Sequence, residues 1–138
     1  MKISSKTHYG VQVCCLLATE EGTLSAKELE KRIAVSSKYL EKILKILSGI
    51  GVVKATRGAN GGYALTREPE NIYMGNIVRA LEEDNLEIIG CVAKNDCCCP
   101  SAKLWKKLFD GMNEILDKIT LKDVADGDLG DKQTEFIK

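Results

Sequence analysis

The chain has 138 residues, 44% apolar and 29% charged, with a formal net charge of zero. That length holds one domain, or a small domain with an appended element, and buries a core without disulfide staples. No run nears the roughly 18 uncharged apolar residues of a membrane span, and the opening Met1-Lys2-Ile3-Ser4-Ser5 has no apolar signal core, so a cytoplasmic protein without a membrane partner is expected.

The zero net charge hides an asymmetry. Residues 1–67 hold 11 Lys/Arg against 5 Asp/Glu, and residues 68–138 hold 9 against 15. A basic half joined to an acidic half fits one part meeting a polyanion and another serving regulation or assembly.

From about Thr7 to Thr19 the sequence mixes Val11, Val13, Leu16 and Leu17 with no Gly or Pro after Gly10, which predicts a buried helix. Cys14 and Cys15 lie inside it and read as small core hydrophobes. Ser25 with Glu28 forms a capping-box pattern that opens a helix over Ala26–Ile33. After the short connection Ala34-Val35-Ser36, an N-cap at Ser36 or Ser37 opens a second helix from about Lys38 to Leu47, with Leu40, Ile43, Leu44 and Leu47 on one face.

Two short helices with a tight turn are a helix-turn-helix, a weak signal alone that the next segment strengthens. Val52–Ala55 reads as a strand, Arg57-Gly58-Ala59-Asn60-Gly61-Gly62 as a tight loop and Tyr63–Leu65 as the returning strand. A glycine-rich hairpin directly after a recognition helix is a wing.

Pro69 marks a boundary, and Met74–Glu83 reads as a helix. The cysteine segment follows, and then one long helix from Ser101 to about Ile119, apolar at steps of three and four. Its seam at Trp105, Phe109, Met112 and Ile119 is expected to meet a second copy of the chain. The expected architecture is mainly α with a small β wing. Residues 1–68 form a winged helix-turn-helix domain, 69–125 carry the cysteine segment and a dimerisation helix, and 126–138 form a flexible tail.

A recognition helix offers its first turns to the major groove. Here these carry Ser36, Ser37, Lys38, Tyr39, Glu41 and Lys42; Glu41 suits a cytosine amino group, and Arg57 at the wing suits a phosphate or the minor groove. The expected partner is a double-stranded operator with an inverted repeat. No phosphate-binding glycine pattern and no catalytic constellation accompanies these residues, so an enzyme is not expected.

Of six cysteines, Cys91, Cys97, Cys98 and Cys99 fall within nine residues. Clustered thiols in a chain without an export signal point to metal or redox chemistry. Zinc favours C-x2-4-C pairs, whereas three-plus-one thiolates suit an iron–sulfur cluster, 2Fe-2S or 4Fe-4S. Neighbours in an extended chain face opposite ways, which favours Cys91, Cys97 and Cys99 as ligands and leaves Cys98 as the alternative. A metal-free thiol switch or interaction module is the competing reading.

The set Met1-Lys2-Ile3-Ser4 with Tyr9, Ser36-x2-Tyr39-Leu40-Glu41, Arg57-Gly58-x2-Gly61-Gly62-Tyr63-x-Leu65, Cys91-x5-Cys97 and Cys99-x5-Trp105 resembles the bacterial regulator family of IscR, NsrR, RirA and CymR. The resemblance covers about residues 1–125. It implies a homodimer of winged domains, a crossing dimer helix and an iron–sulfur cluster between each sensor loop and the partner subunit, and so a transcriptional regulator of iron–sulfur status, redox state or nitric oxide. A metal-free thiol regulator of the CymR type is the alternative. Two departures stand out. The second and third cysteines are closer together than is common in the family, and Ala102 stands where IscR-like members place a histidine ligand. Members of the NsrR type take a non-cysteine ligand from the first helix of the other subunit, which the resemblance carries onto His8.

Overall fold

The computed structural model describes residues 2–83, 86–87 and 100–129. The first helix, α1 (Ser5–Thr19), starts two residues earlier than its apolar pattern implies, because Ser4 caps it by accepting from the Thr7 amide at 3.2 Å. Its buried face is Thr7, Gly10, Val13, Cys14 and Leu17, a helical stripe.

The helix α2 (Ala26–Ile33) opens on the capping box read from the sequence. Ser25 Oγ accepts from the Glu28 amide at 3.2 Å, and Glu28 accepts from the Ser25 amide at 2.7 Å. Ala34 ends it with φ 59°, a left-handed residue that turns the chain at once into α3 (Ser37–Gly49), capped by Ser36. Leu40, Ile43, Leu44 and Leu47 are buried as the spacing requires.

Strands β1 (Val53–Thr56) and β2 (Gly62–Leu65) pair antiparallel, Val53 opposite Leu65 and Thr56 opposite Gly62. The wing is fastened to the helices, since Leu24 and Tyr63 exchange backbone hydrogen bonds at 3.0 and 2.7 Å. That contact explains Gly62, where a Cβ would stand 2.5 Å from the Leu24 carbonyl oxygen.

After a 3-10 turn (Pro69–Asn71) comes α4 (Met74–Leu81), two residues shorter than expected because Glu82 turns to an extended conformation. The long helix α5 (Ala102–Lys118) follows. A sixth helix, α6 (Leu121–Asp126), is absent from the sequence reading; Thr120 and Asp123 form its capping box and Gly127 its left-handed C-cap. An antiparallel bridge joins Tyr73 to Thr120, which seats the fully buried Leu121 beside Ile72. Asp126 therefore closes a helix, while residues 130–138 of the expected tail lie outside the described residues.

One continuous core joins Val13, Leu29, Ile43, Leu47, Ile77, Leu81 and Leu121, so α4 and α6 pack on the same helix, α1, as the winged segment does. Each fully buried Leu or Ile contributes roughly 1.5–3 kcal/mol of hydrophobic stabilisation. Against this, α5 buries none of its seventeen residues, and Leu104, Leu108 and Ile115 are 59, 46 and 59% exposed. Among the described residues no helix is long and apolar enough to cross a membrane.

Candidate nucleic-acid interface and sensor segment

The sequence divides α3 into two faces. Its apolar side is locked into the core, so Ser37, Lys38, Glu41 and Lys42 are held outward, exposed, in the first two turns. Lys45, seven positions after Lys38, extends this exposed stripe; the same spacing marks it in the sequence. Two of the expected contact residues have structural duties as well. Ser36 Oγ accepts from the Tyr39 amide at 3.2 Å as the N-cap, and Tyr39 is half-buried with its ring edge-on to Tyr9 of α1, centroids 6.1 Å apart. Tyr9 is thus the support behind Tyr39.

Arg57 stands exposed at the end of β1, where the chain enters the wing loop. Gly58 has φ 115°, a region closed to most side chains, and Gly61 donates to the Gly58 carbonyl at 2.9 Å to close the loop. Thr23 donates to the Asn60 carbonyl at 2.9 Å, so the wing tip is tied to the α1–α2 connection. The result is a capped polar helix with a braced wing bearing an arginine.

His8 lies on the exposed side of α1, its Nε2 3.4 Å from Gln12 Nε2 and its ring centroid 5.3 Å from Tyr9. It lines a shallow groove with Gln12, Cys15, Arg32 and Val124. Cys91, Cys97, Cys98 and Cys99 fall outside the described residues. Among the described residues no three His, Cys, Asp or Glu side chains converge on a metal position. Cys14 is fully buried, and burial together with neighbouring Cys15 pushes its thiol up to about 12. Burial also raises Cys15. Both are poor thiolates, in keeping with a packing role.

The structure places the four residues of the expected α5 seam at intermediate exposure. Met112 and Ile119 pack with Leu116 against the chain's own core, and Trp105 and Phe109 are half-buried. The bare stripe is instead Leu104, Leu108 and Ile115, bordering an apolar trough of about 490 Å³ that also touches Gly111 and Met112.

Comparison with known proteins fits this architecture. The Rrf2 family model, described as an iron-dependent transcriptional regulator, matches residues 3–127. The chain is 37% identical over 129 residues to the HTH-type transcriptional regulator CymR of Bacillus subtilis, covering 91% of this chain and 90% of that protein. It is 33% identical over 131 residues to Protein rrf2 of Nitratidesulfovibrio vulgaris, covering 90 and 87%. Among solved structures, T. potens IscR superposes with a TM-score of 0.73 at 39% identity, covering 96% of this chain and 91% of that one. A recognition helix, a braced wing and a family match over nearly the whole chain lead to one conclusion: the chain belongs to the Rrf2 family and is a winged-helix, DNA-binding transcriptional regulator, not an enzyme.

Proposed function

We propose that the protein acts as a homodimer on an inverted-repeat operator and adjusts its affinity through an iron–sulfur cluster held by the cysteine segment, in response to iron–sulfur supply, redox state or nitric oxide. The observation that carries the DNA reading is the outward face of α3, where Ser37, Lys38, Glu41 and Lys42 are exposed beside a buried apolar face. Ser36, Tyr39 and Arg57 complete the contact set, with Arg57 at the wing. Cations and hydroxyls position the helix on phosphates, and Glu41 and Arg57 supply base discrimination.

The dimer reading rests on α5. Leu104, Leu108 and Ile115 are already about half covered, so burying the rest against a second copy offers roughly 1 kcal/mol for each side chain, and a two-fold axis presents two recognition helices about one DNA turn apart. The cluster reading rests on donor chemistry: four thiols within nine residues are soft ligands for iron. Cys91, Cys97 and Cys99 would hold it, with Cys98 as the alternative, and His8 of the partner subunit would complete the set. An exposed His8 on the outer side of α1 suits donation to another chain. Such a cluster supplies an iron centre open to oxidants and nitric oxide. A cytoplasmic location, where thiols stay reduced, fits this chemistry.

The test is purification without oxygen, followed by DNA binding with and without cluster, using duplexes selected by the protein from a random pool. Visible absorption should scale with iron and sulfide, and the two forms should differ in affinity by at least about fivefold. Colourless protein whose binding follows thiol oxidation alone would replace the cluster with a metal-free switch. Arg57→Ala should weaken selected DNA more than random DNA; equal losses would confine Arg57 to phosphate.

A further inference from the structure

Glu82 is the one charged side chain that the fold buries among the described residues, 9% exposed. It follows α4 directly and stands at the entrance to the acidic and cysteine-bearing part of the chain. Its Oε1 accepts from the Ser4 amide at 2.7 Å. Ser4 is the N-cap of α1, and its hydroxyl lies 3.1 Å from the hydroxyl of buried Thr7. A carboxylate, an N-cap and a buried threonine thus close one polar network at the positive end of a fifteen-residue helix.

The same corner reaches the recognition helix. Tyr39 and Lys42 line a cavity of about 520 Å³ with Ser4, Lys6, Glu82 and Glu83. Tyr39 also rests edge-on against Tyr9 of α1. Glu83 pairs with Lys6 at 3.3 Å, an exposed bridge that adds little. Beyond Glu82, Leu86 is buried with φ 66°, a conformation disfavoured for residues with a side chain and held here by packing. The chain is therefore anchored at Leu86 and gripped at Glu82 before it reaches the cysteines.

We propose that Glu82 is a positioning residue that links the cysteine segment to the recognition helix by holding the first turn of α1, so that a change of state in the segment reaches Tyr39 and Lys42 through Ser4. This rests on the sensor reading above and deepens it. A buried carboxylate drawn off its donors would be desolvated without a partner, so the link has two states, seated on Ser4 or swung into water, rather than a graded range.

The experiment uses the reduced, metal-free full chain carrying Cys15→Ala, with N-ethylmaleimide as the defined change in the cysteine segment. Amide exchange is followed at Ser4, Thr7, Tyr39 and Lys42, with Leu29 and Ile43 reporting the core, and affinity is measured on selected DNA. Alkylation should speed exchange at the four reporters at least tenfold in the parent protein and less than twofold in Glu82→Ala. Glu82→Gln, which keeps an oxygen for the Ser4 amide, should fall between them, and serves as the readout if Glu82→Ala fails to fold. A parent protein whose reporters ignore alkylation, or a Glu82 variant that responds as fully as the parent, overturns the link. Reporters that respond while DNA affinity does not would sink the sensor reading and leave the link standing.

Discussion

The Arg79 guanidinium holds Asp117 across the α4–α5 contact, Nη2 donating to Oδ1 at 2.6 Å, while Nη1 donates to Asn113 Oδ1 at 2.8 Å. Two charge-assisted bonds from one planar fork fix how α5 is rolled on its own domain. Met112 and Leu116 then pack against the domain's core at the edge of the trough they also line, and Leu104, Leu108 and Ile115 face out.

Leu108→Glu tests what that outward face is for. Leu108 is half-covered within one chain, so thermal stability of the isolated subunit should fall by no more than about 1 kcal/mol. A charge at the centre of a dimer seam would instead split the dimer. Sedimentation at micromolar concentration should show a dimer for the parent and a monomer for the variant, with binding to inverted-repeat DNA lost. A parent that sediments as a monomer removes the dimer from the proposed function.

Gly10→Ala is expected to destabilise, against the usual trend. In an exposed helix, alanine in place of glycine gains about 1 kcal/mol. Here the new Cβ would overlap Leu81 Cδ1, and Leu81 is fully buried between α1 and α4. Overpacking of this kind costs typically 1–3 kcal/mol, so the net should be a loss of about 1 kcal/mol in chemical denaturation. Gly75→Ala makes a second test, because its Cβ meets the ends of the Asp117 and Arg79 side chains, so making room there would disturb the bond between them that orients α5. A stabilised Gly10→Ala would mean that α1 and α4 pack less closely than described.

Much of this fold is legible in the amino-acid sequence. Ser25 with Glu28, Ser36, and the glycines of the wing announce themselves by local chemistry, and local chemistry decided those elements. Long-range effects left no such mark. Glu82 stands in the helix expected over Met74–Glu83 with no local mark of burial, yet it is buried because Ser4, 78 positions earlier, supplies its donor. The helix α6 was missed because six residues offer too little periodicity; Leu121 is fixed by its bridge partner beside Ile72, which sequence spacing does not reveal. In α5 the 3–4 spacing marks the apolar positions, but which of them face the chain's own domain depends on long-range contacts, the packing on the core and the Arg79 bonds to Asn113 and Asp117.

Ser36 allows its two duties to be separated. Ser36→Ala removes the N-cap of α3 and should cost about 1 kcal/mol of stability. Ser36→Asp keeps an acceptor for the Tyr39 amide and places a negative charge at a helix N-terminus, so stability should hold or rise slightly. That same charge at the proposed DNA face should weaken binding at least tenfold, more strongly at low salt. If Ser36→Asp is both stable and unimpaired on DNA, the start of α3 does not face the phosphates.

Acid should act on Glu82 in a defined direction. Burial pushes its carboxyl up, but the Ser4 amide, the Thr7 and Ser4 hydroxyls and the Lys6 charge together hold it below the ordinary glutamate range. A depressed folded value contributes stability that is present above the unfolded value, near 4.5, and is lost as pH falls through the folded one. The stability gap between parent and Glu82→Gln should therefore be full at pH 6 and shrink steadily as pH falls below about 4.5. Glu114 and Asp123, also lowered by local donors, are unchanged in both proteins and cancel. A gap that is flat or grows toward acid would show that the Glu82 charge does not hold the network.

The ligand assignment gives the last prediction, and single substitutions can decide it. Three thiolates from Cys91, Cys97 and Cys99 would leave one iron short, and Ala102 has no donor to fill it. Neighbours in an extended chain face opposite ways, which sets Cys98 apart from Cys97 and Cys99, whereas His8 is exposed on α1 with its Nε2 3.4 Å from Gln12 Nε2. Cys91→Ala should therefore yield colourless protein after anaerobic purification. Cys98→Ala should retain at least about four-fifths of the iron, sulfide and visible absorption, since removing a non-ligand beside two ligands disturbs only packing. His8→Ala should still acquire a cluster, because water or a small thiol can occupy an open position, but the spectrum should shift and loss to a chelator should speed up several-fold, in the 10–100-fold range of ligand-shell changes at most. DNA affinity in the stripped form should be equal in all three, as none of these residues belongs to the α3 or wing contact set. If Cys98→Ala strips the cluster while His8→Ala keeps both spectrum and lifetime, the fourth ligand is Cys98 and the cluster is held within one subunit rather than across two.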